Sequence, residues 1–344
     1  MKAVAVTEFG GPEALKVISL PAPEAGPGQI RIRVTAAAVN PADVFLRSGG
    51  AAPRLQDIPP PYVPGWEAAG AVDQVGDGTR TSLRPGDHAM AIVIPRGTHG
   101  AYAELVAVPA QSAARTPAGA SDAEAATLPM TGLTARLALD LLALRPGQTV
   151  AVTGAAGTVG GYAVQLAKAD GLHVIADAAP ADRHLVQALG ADIVVSRVPG
   201  MAGQVRDALP AGADGLVSAA PLTAPLLRAV KDRGSIAAVR GGHPVAPERG
   251  ITVHRVFVPA MPASTASSKP CGSRRKTASS PSAWPVPSPP GRQPSPTRSW
   301  KPGEPGAGSS SGSDTGSSTL TQKAASTAAP CCADSCSGTW PVIR

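Results

Sequence analysis

The sequence predicts an α/β chain: a β-rich first part, then a doubly wound parallel sheet, then a low-complexity tail. Three observations predict it. Residues 149–177 read as strand, glycine turn, helix and strand. From 149 to about 260, strands and helices alternate with short connections, the pattern of a parallel sheet covered on both faces. Residues 262–344 contain only four Leu, Ile, Val or Phe residues (Val286, Leu320, Val342, Ile343), too few to offset the entropy of ordering.

The elements follow in order. Met1 to Val6 is a first strand. Gln29 to Val34 alternates, with Ile30, Ile32 and Val34 on one face and Arg31 and Arg33 on the other. Ala68 to Val75 and Ala89 to Ile94 are further strands, and Pro-Gly pairs at 27–28, 64–65 and 85–86 punctuate the segment. Ser121 to Glu124 is a capping box that opens a helix. A second helix runs from about Thr131 to Leu144 and stops at Pro146-Gly147. Strands are then expected near 149–153, 172–176, 192–195, 214–218 and 235–239, and helices near 158–170, 181–189, 200–209 and 222–232. Ile251 to Val258 is the last strand. The expected domains are 1–120, 121–260 and a disordered Ser/Pro-rich 261–344.

The turn Gly154-Ala155-Ala156-Gly157-Thr158-Val159-Gly160 carries the chemistry. Its first glycine spacing is one residue longer than G-x-G-x-x-G, but the strand before it and the helix after it supply the confirming context. Glycine permits the tight turn and lets backbone approach a pyrophosphate, while the helix N-terminus offers N–H groups to phosphate. Val159, Ala163, Leu166 and Ala167 make one buried helix face, and Gly171 ends the helix with Lys168 in its last turn.

The charge is uneven. The tail holds nine basic and three acidic residues, +6 of the chain's +7, so residues 1–261 carry only +1. The basic balance therefore belongs to the tail, which could meet nucleic acid or an acidic surface; Trp284, Trp300 and Trp340 form no basic-aromatic repeat with it, so nucleic-acid binding is not expected. All four cysteines (Cys271, Cys331, Cys332, Cys336) lie there too, so the folded part has no disulfide framework and no thiol nucleophile. No run approaches the ~20 apolar residues of a membrane span, and the first residues show no cleavage signal. A soluble, cytoplasmic protein is the expectation.

Five ordered motifs together resemble one family. They are Ala38-Val-Asn-Pro-Ala-Asp-Val-Phe-Leu-Arg-Ser-Gly49, Pro64-Gly-Trp-Glu-Ala-Ala-Gly70, Arg84-Pro-Gly-Asp-His88, Leu128-Pro-Met-Thr-Gly-Leu-Thr-Ala135 and Gly154 to Gly160. The chain is similar, over about residues 1–260, to zinc-independent medium-chain dehydrogenases/reductases of the quinone oxidoreductase (zeta-crystallin-like) type. The resemblance implies a GroES-like catalytic domain before a Rossmann domain. Zinc-dependent relatives place cysteine and histidine where this chain has Asn40 and Trp66, so no zinc is expected. His88 and His99 read as structural. By resemblance Thr131 backs a nicotinamide, Thr134 helps hold its surroundings and Asn40 faces the substrate. The alternatives are a helix N-terminus for the threonines and a turn for Asn40-Pro41.

The cofactor reading turns on the end of the second strand of this sheet. Asp177 lies one residue before the family's acidic position, which Ala178 occupies, and Arg183 matches a basic position facing a 2′-phosphate. NADPH is therefore favoured over NADH, although Arg183 also reads as a solvated helix residue. The implied reaction is hydride transfer to a quinone or an α,β-unsaturated carbonyl. Phe45 stands where many members carry tyrosine, which removes a hydroxyl and favours quinones. Ile251 to Val258 is a candidate homodimer edge.

The tail departs from the family, whose chain returns to complete the catalytic domain with helices and a final strand. Out-of-frame translation of GC-rich codons is the expected origin of its Ser, Pro, Gly, Cys and Trp, with activity impaired as a result. A second function class stays open: a catalytically impaired nucleotide-binding protein with a disordered tail.

Overall fold

A computed structural model describes residues 1–197, 200–239 and 245–258, together with the backbone of 342–343. The chain divides into two compact units, Met1–Met130 and the described part of Thr131–Met261.

In the first unit β1 (Lys2–Val6) pairs antiparallel with β2 (Leu15–Ser19), a strand the sequence did not announce. β3 (Gln29–Ala38) buries Ile30, Ile32 and Val34 as its alternation requires. On its other face Arg31 Nε and Arg33 Nη2 meet Asp73 at 2.9 and 3.1 Å. The next element is a helix, α1 (Pro41–Arg47), rather than only a turn. Pro41 suits its first position, Asn40 is the N-cap, and the Asp43 carboxylate accepts the Asn40 backbone N–H at 2.8 Å. β4 (Glu67–Val75), β5 (His88–Ile92), β6 (Leu105–Pro109) and β7 (Ala113–Arg115) follow, then α2 (Asp122–Ala125) behind its Ser121–Glu124 capping box. The antiparallel order is β3-β4-β5-β7, with β6 beside the first half of β3. The interior is unusually fine-grained: Ala5, Ala68, Ala89, Ala91 and Ala101 pack among Ile30, Ile32, Val72, Val93 and Val106.

The second unit opens with α3 (Pro129–Leu142), whose first two residues belong to the first unit, and continues with β8 (Thr149–Thr153), α4 (Thr158–Ala169), β9 (His173–Ala178), α5 (Arg183–Ala188), β10 (Ile193–Ser196), α6 (Met201–Ala208), β11 (Ala213–Ser218), β12 (Val230–Ala238) and β13 (Thr252–Arg255). All pairings are parallel and the order is β10-β9-β8-β11-β12-β13. This is the doubly wound arrangement, in which ligands bind beyond the strand C-termini where the order reverses, here between β8 and β11. The buried face of α4 is Gly160, Gly161, Ala163, Val164 and Ala167, so Val159 and Leu166, expected on it, lie half-buried at its border, and Gly171 takes φ +75° just after the helix.

Three expectations need correction. No α-helix covers 222–232; a 3₁₀ turn (Ala224–Ala229) leads directly into β12. Pro221 and Pro225 limit the turn's length, while Leu226 and Leu227 bury without a full helical face. The last strand of this sheet is four residues, not eight. The tail was expected to lack a final strand, yet Val342–Ile343 (β14) runs antiparallel to Ala37 and Ala38 of β3. Two consecutive β-branched residues suit such an edge. The other expectations placed on 262–344 (disorder, reading frame, the cysteine cluster) lie outside the described residues.

Candidate active site

The cofactor candidates sit where β8 gives way to α4. Gly154 takes φ +67°, which turns the chain off the strand. A Cβ on Gly160 would fall on the carbonyl oxygen of Gly154, 2.7 Å from its carbon and 2.8 Å from Ala155 Cα. Helix and turn therefore touch through backbone alone. The Gly157 N–H donates to Gly154 O at 2.9 Å, closing the turn. Gly157 is the N-cap of α4 and has no side chain with which to cap it. The first-turn N–H groups at Thr158, Val159 and Gly160 thus have no intrahelical acceptor and point outward. Ala155 is fully buried, and Ala156, Thr158 and Val159 are half-buried. Thr153 is buried and its Oγ1 accepts the Ala220 N–H at 3.3 Å, tying β8 to the loop after β11.

Asp177 holds the turn from below. Its Oδ1 accepts the Ala155 N–H at 3.1 Å, and Gly154 donates to it as well. Burial pushes its carboxyl above the ordinary carboxylate value, against those two hydrogen bonds. The carboxylate is spent on the turn. Ala178, the next residue, is buried and offers no polar group.

Two arginines lie at this edge of the sheet. Arg183, exposed at the start of α5, gives Nη1 to the Val194 carbonyl at 3.0 Å. Arg197 was missed by sequence reasoning. It directly follows β10, whose Ser196 is in register with Ala178. Its Nη2 lies 3.3 Å from the buried Asp182 carboxylate, its Nε has no hydrogen-bond partner among the described residues, and its charge reaches Asp177. The only sequence signal was a basic residue just past a short strand.

Thr131 and Thr134 are both buried on α3, three residues apart and so on one face.

In the first unit Asn40 is buried at the head of α1. Its Nδ2 donates to Glu67 Oε1 at 2.9 Å. Glu67 is wholly buried, and its second oxygen accepts the Met130 N–H at 2.7 Å. Beside them Asp43 accepts the Gly65 N–H at 2.8 Å and is hydrogen-bonded by Tyr102. Burial raises the Asp43 carboxyl to about 6, although the bonds from Asn40, Gly65 and Tyr102 pull it down. The Tyr102 hydroxyl is driven well above its ordinary value by burial and by the neighbouring Asp43. The Phe45 ring lies over Gly50 and is half exposed. His88 Nδ1 sits 2.9 Å from Asp122, and His99, whose pKa burial lowers, joins a backbone bridge to Arg96. Among the described residues no three of His, Cys, Asp and Glu converge as a metal site would require. None of the described helices is long and apolar enough to cross a membrane.

Comparison with known proteins fits this geometry. Residues 26–118 match the alcohol dehydrogenase GroES-like domain. A solved NAD-dependent alcohol dehydrogenase is 34% identical, with 74% of this chain and 84% of that one covered at a TM-score of 0.67. This chain belongs to the medium-chain dehydrogenase/reductase (alcohol dehydrogenase) superfamily. The family member "Quinone-oxidoreductase QR1, chloroplastic" from Triphysaria versicolor is 35% identical over 57% of this chain and 60% of its own length. The "NADPH-dependent alkenal/one oxidoreductase, chloroplastic" of Arabidopsis thaliana is 32% identical over 70% of this chain and 63% of its own length. The chain thus spans less than two thirds of either curated relative.

Proposed function

We propose that the chain is an NADPH-dependent, zinc-free reductase of small quinones or α,β-unsaturated carbonyls. The observation that carries this reading is the backbone contact of Gly160 with Gly154 at a helix start that no side chain caps, which leaves the first-turn amides to meet an anion. Bound nicotinamide supplies a hydride; the chain binds it, orients it and keeps water away. The amides of Thr158, Val159 and Gly160 hold the diphosphate, with Gly154, Ala155, Ala156 and Gly157 shaping the turn. Arg197 and Arg183 attract a 2′-phosphate, and the absence of a carboxylate at Ala178 leaves room for it. The relative named for NADPH and alkenals supports that choice over NADH.

Thr131 backs the nicotinamide and Thr134 fixes its surroundings. Asn40 faces the acceptor, with one amide hydrogen held by Glu67 and the other left to donate. Neither Asn40 nor Trp66 offers the thiolate or imidazole that a catalytic zinc needs. Phe45 brings no hydroxyl, so the proton that accompanies the hydride comes from solvent, which suits quinone reduction. A homodimer would use the β13 edge.

The test is NADPH oxidation followed at 340 nm with a benzoquinone and an enal. Oxidation that depends on the acceptor supports the reading. A folded protein that binds neither NADPH nor NADH overturns it, and binding without turnover selects the impaired nucleotide-binding protein instead.

A further inference from the structure

Nothing in the sequence marked Glu67 as more than part of a motif. The structure places it, without solvent exposure, between Asn40 and the backbone N–H of Met130. One oxygen accepts Asn40 Nδ2 at 2.9 Å; the other accepts the Met130 N–H at 2.7 Å, one residue before Thr131. A buried carboxylate is costly unless such donors meet it. It also stands at the start of a helix of fourteen residues, where negative charge is favoured. We propose that Glu67 is a positioning residue, which fixes the Asn40 carboxamide and the Met130 backbone, the last of the first unit, in one arrangement. The inference rests on the proposed reductase reading for its effect on turnover, and not for the pin itself.

The chemistry makes the pin specific to a carboxylate. Both partners are N–H donors, so both oxygens must accept. Glu67→Gln offers one acceptor and one NH₂ group, and sets donor against donor on one side. Glu67→Asp retains two acceptors on a stem one methylene shorter, too short to reach both partners without movement.

The experiment uses the full chain and three variants: Glu67→Gln, Asn40→Ala and the two combined. With a benzoquinone as acceptor, Glu67→Gln should lower kcat by about tenfold. Its Kd for NADPH should stay within about twofold, because the glycine cradle is untouched. In the Asn40→Ala background the same change should cost much less, since it acts largely through Asn40. Losses that simply multiply, or a folded Glu67→Gln protein with unchanged kcat, overturn the proposal. Amide hydrogen exchange tests the pin without turnover: the peptide containing Met130 should exchange faster in Glu67→Gln than in the parent. Unchanged exchange there overturns the pin. Faster exchange in a protein whose parent reduces no acceptor supports the pin and refutes the reductase reading alone.

Discussion

Replacing Gly160 by alanine tests the cradle most sharply. The new methyl would land on the Gly154 carbonyl oxygen, 2.7 Å from its carbon and 2.8 Å from Ala155 Cα. Those neighbours are backbone, so no side chain can swing aside. Either α4 lifts from β8 or the turn opens. Overpacking of this kind costs about 1–3 kcal/mol and more when backbone must move; in a unit of this size that lowers Tm by roughly 3–10 °C. The turn's hydrogen bonds from Gly157 to Gly154 and from Ala155 to Asp177 weaken together, so NADPH affinity should fall by about tenfold or more. Gly203→Ala is the matched control. Nothing lies within 4 Å of its Cβ, and Gly203 sits inside α6. It should raise stability by about 0.4–1 kcal/mol and leave binding alone. Differential scanning fluorimetry and fluorescence titration read both variants. A Gly160→Ala protein that melts and binds like the parent would refute the backbone contact and the cradle argued from it.

Two further outcomes follow from the site. The raised Asp43 pKa favours the folded state only while the group is protonated. Its contribution is therefore complete below the unfolded value of 3.8 and is lost as pH rises through the folded value of about 6. The loss is roughly 3 kcal/mol, visible in urea unfolding between pH 4 and 6.5; because Asp177 is raised too and adds a slope of the same sign, only a slope undiminished in Asp43→Asn would rule Asp43 out as a source. Among the arginines, Arg197→Met should weaken NADPH by about tenfold and leave NADH unchanged, whereas Arg183→Ala, whose guanidinium already serves the Val194 carbonyl, should matter less. Equal weakening of both nucleotides by Arg197→Met would remove it from 2′-phosphate recognition.

The second unit was largely legible because its signals are local. The β8–α4 turn, the alternation of elements and the cap at Gly171 each follow from a few adjacent residues. The segment 222–232 misled because Leu226, Leu227 and Val230 mimic a helical spacing, while the prolines and the following strand decide otherwise. In the first unit β2 and β6 were missed because their alternation is weak, and α1 because seven residues show less than two full turns. The site was legible only in part. Glycine spacing reveals a cradle, but Asp177 beneath it, Arg197 beside it and Glu67 under Asn40 are joined by contacts across 22, 15 and 27 residues of sequence. No window of periodicity sees that far.

The methyl-lined interior of the first unit has its own consequence. Where Ala5, Ala68, Ala89, Ala91 and Ala101 fill the space between strands, little volume remains to be removed, and glycine there costs backbone freedom more than it leaves a void. Damage comes instead from enlargement: a valine at Ala68 or Ala91 would wedge strands apart whose spacing the hydrogen-bond ladder sets. Swaps among the large aliphatic residues of this interior should thus cost little, while enlarging its smallest residues should cost most.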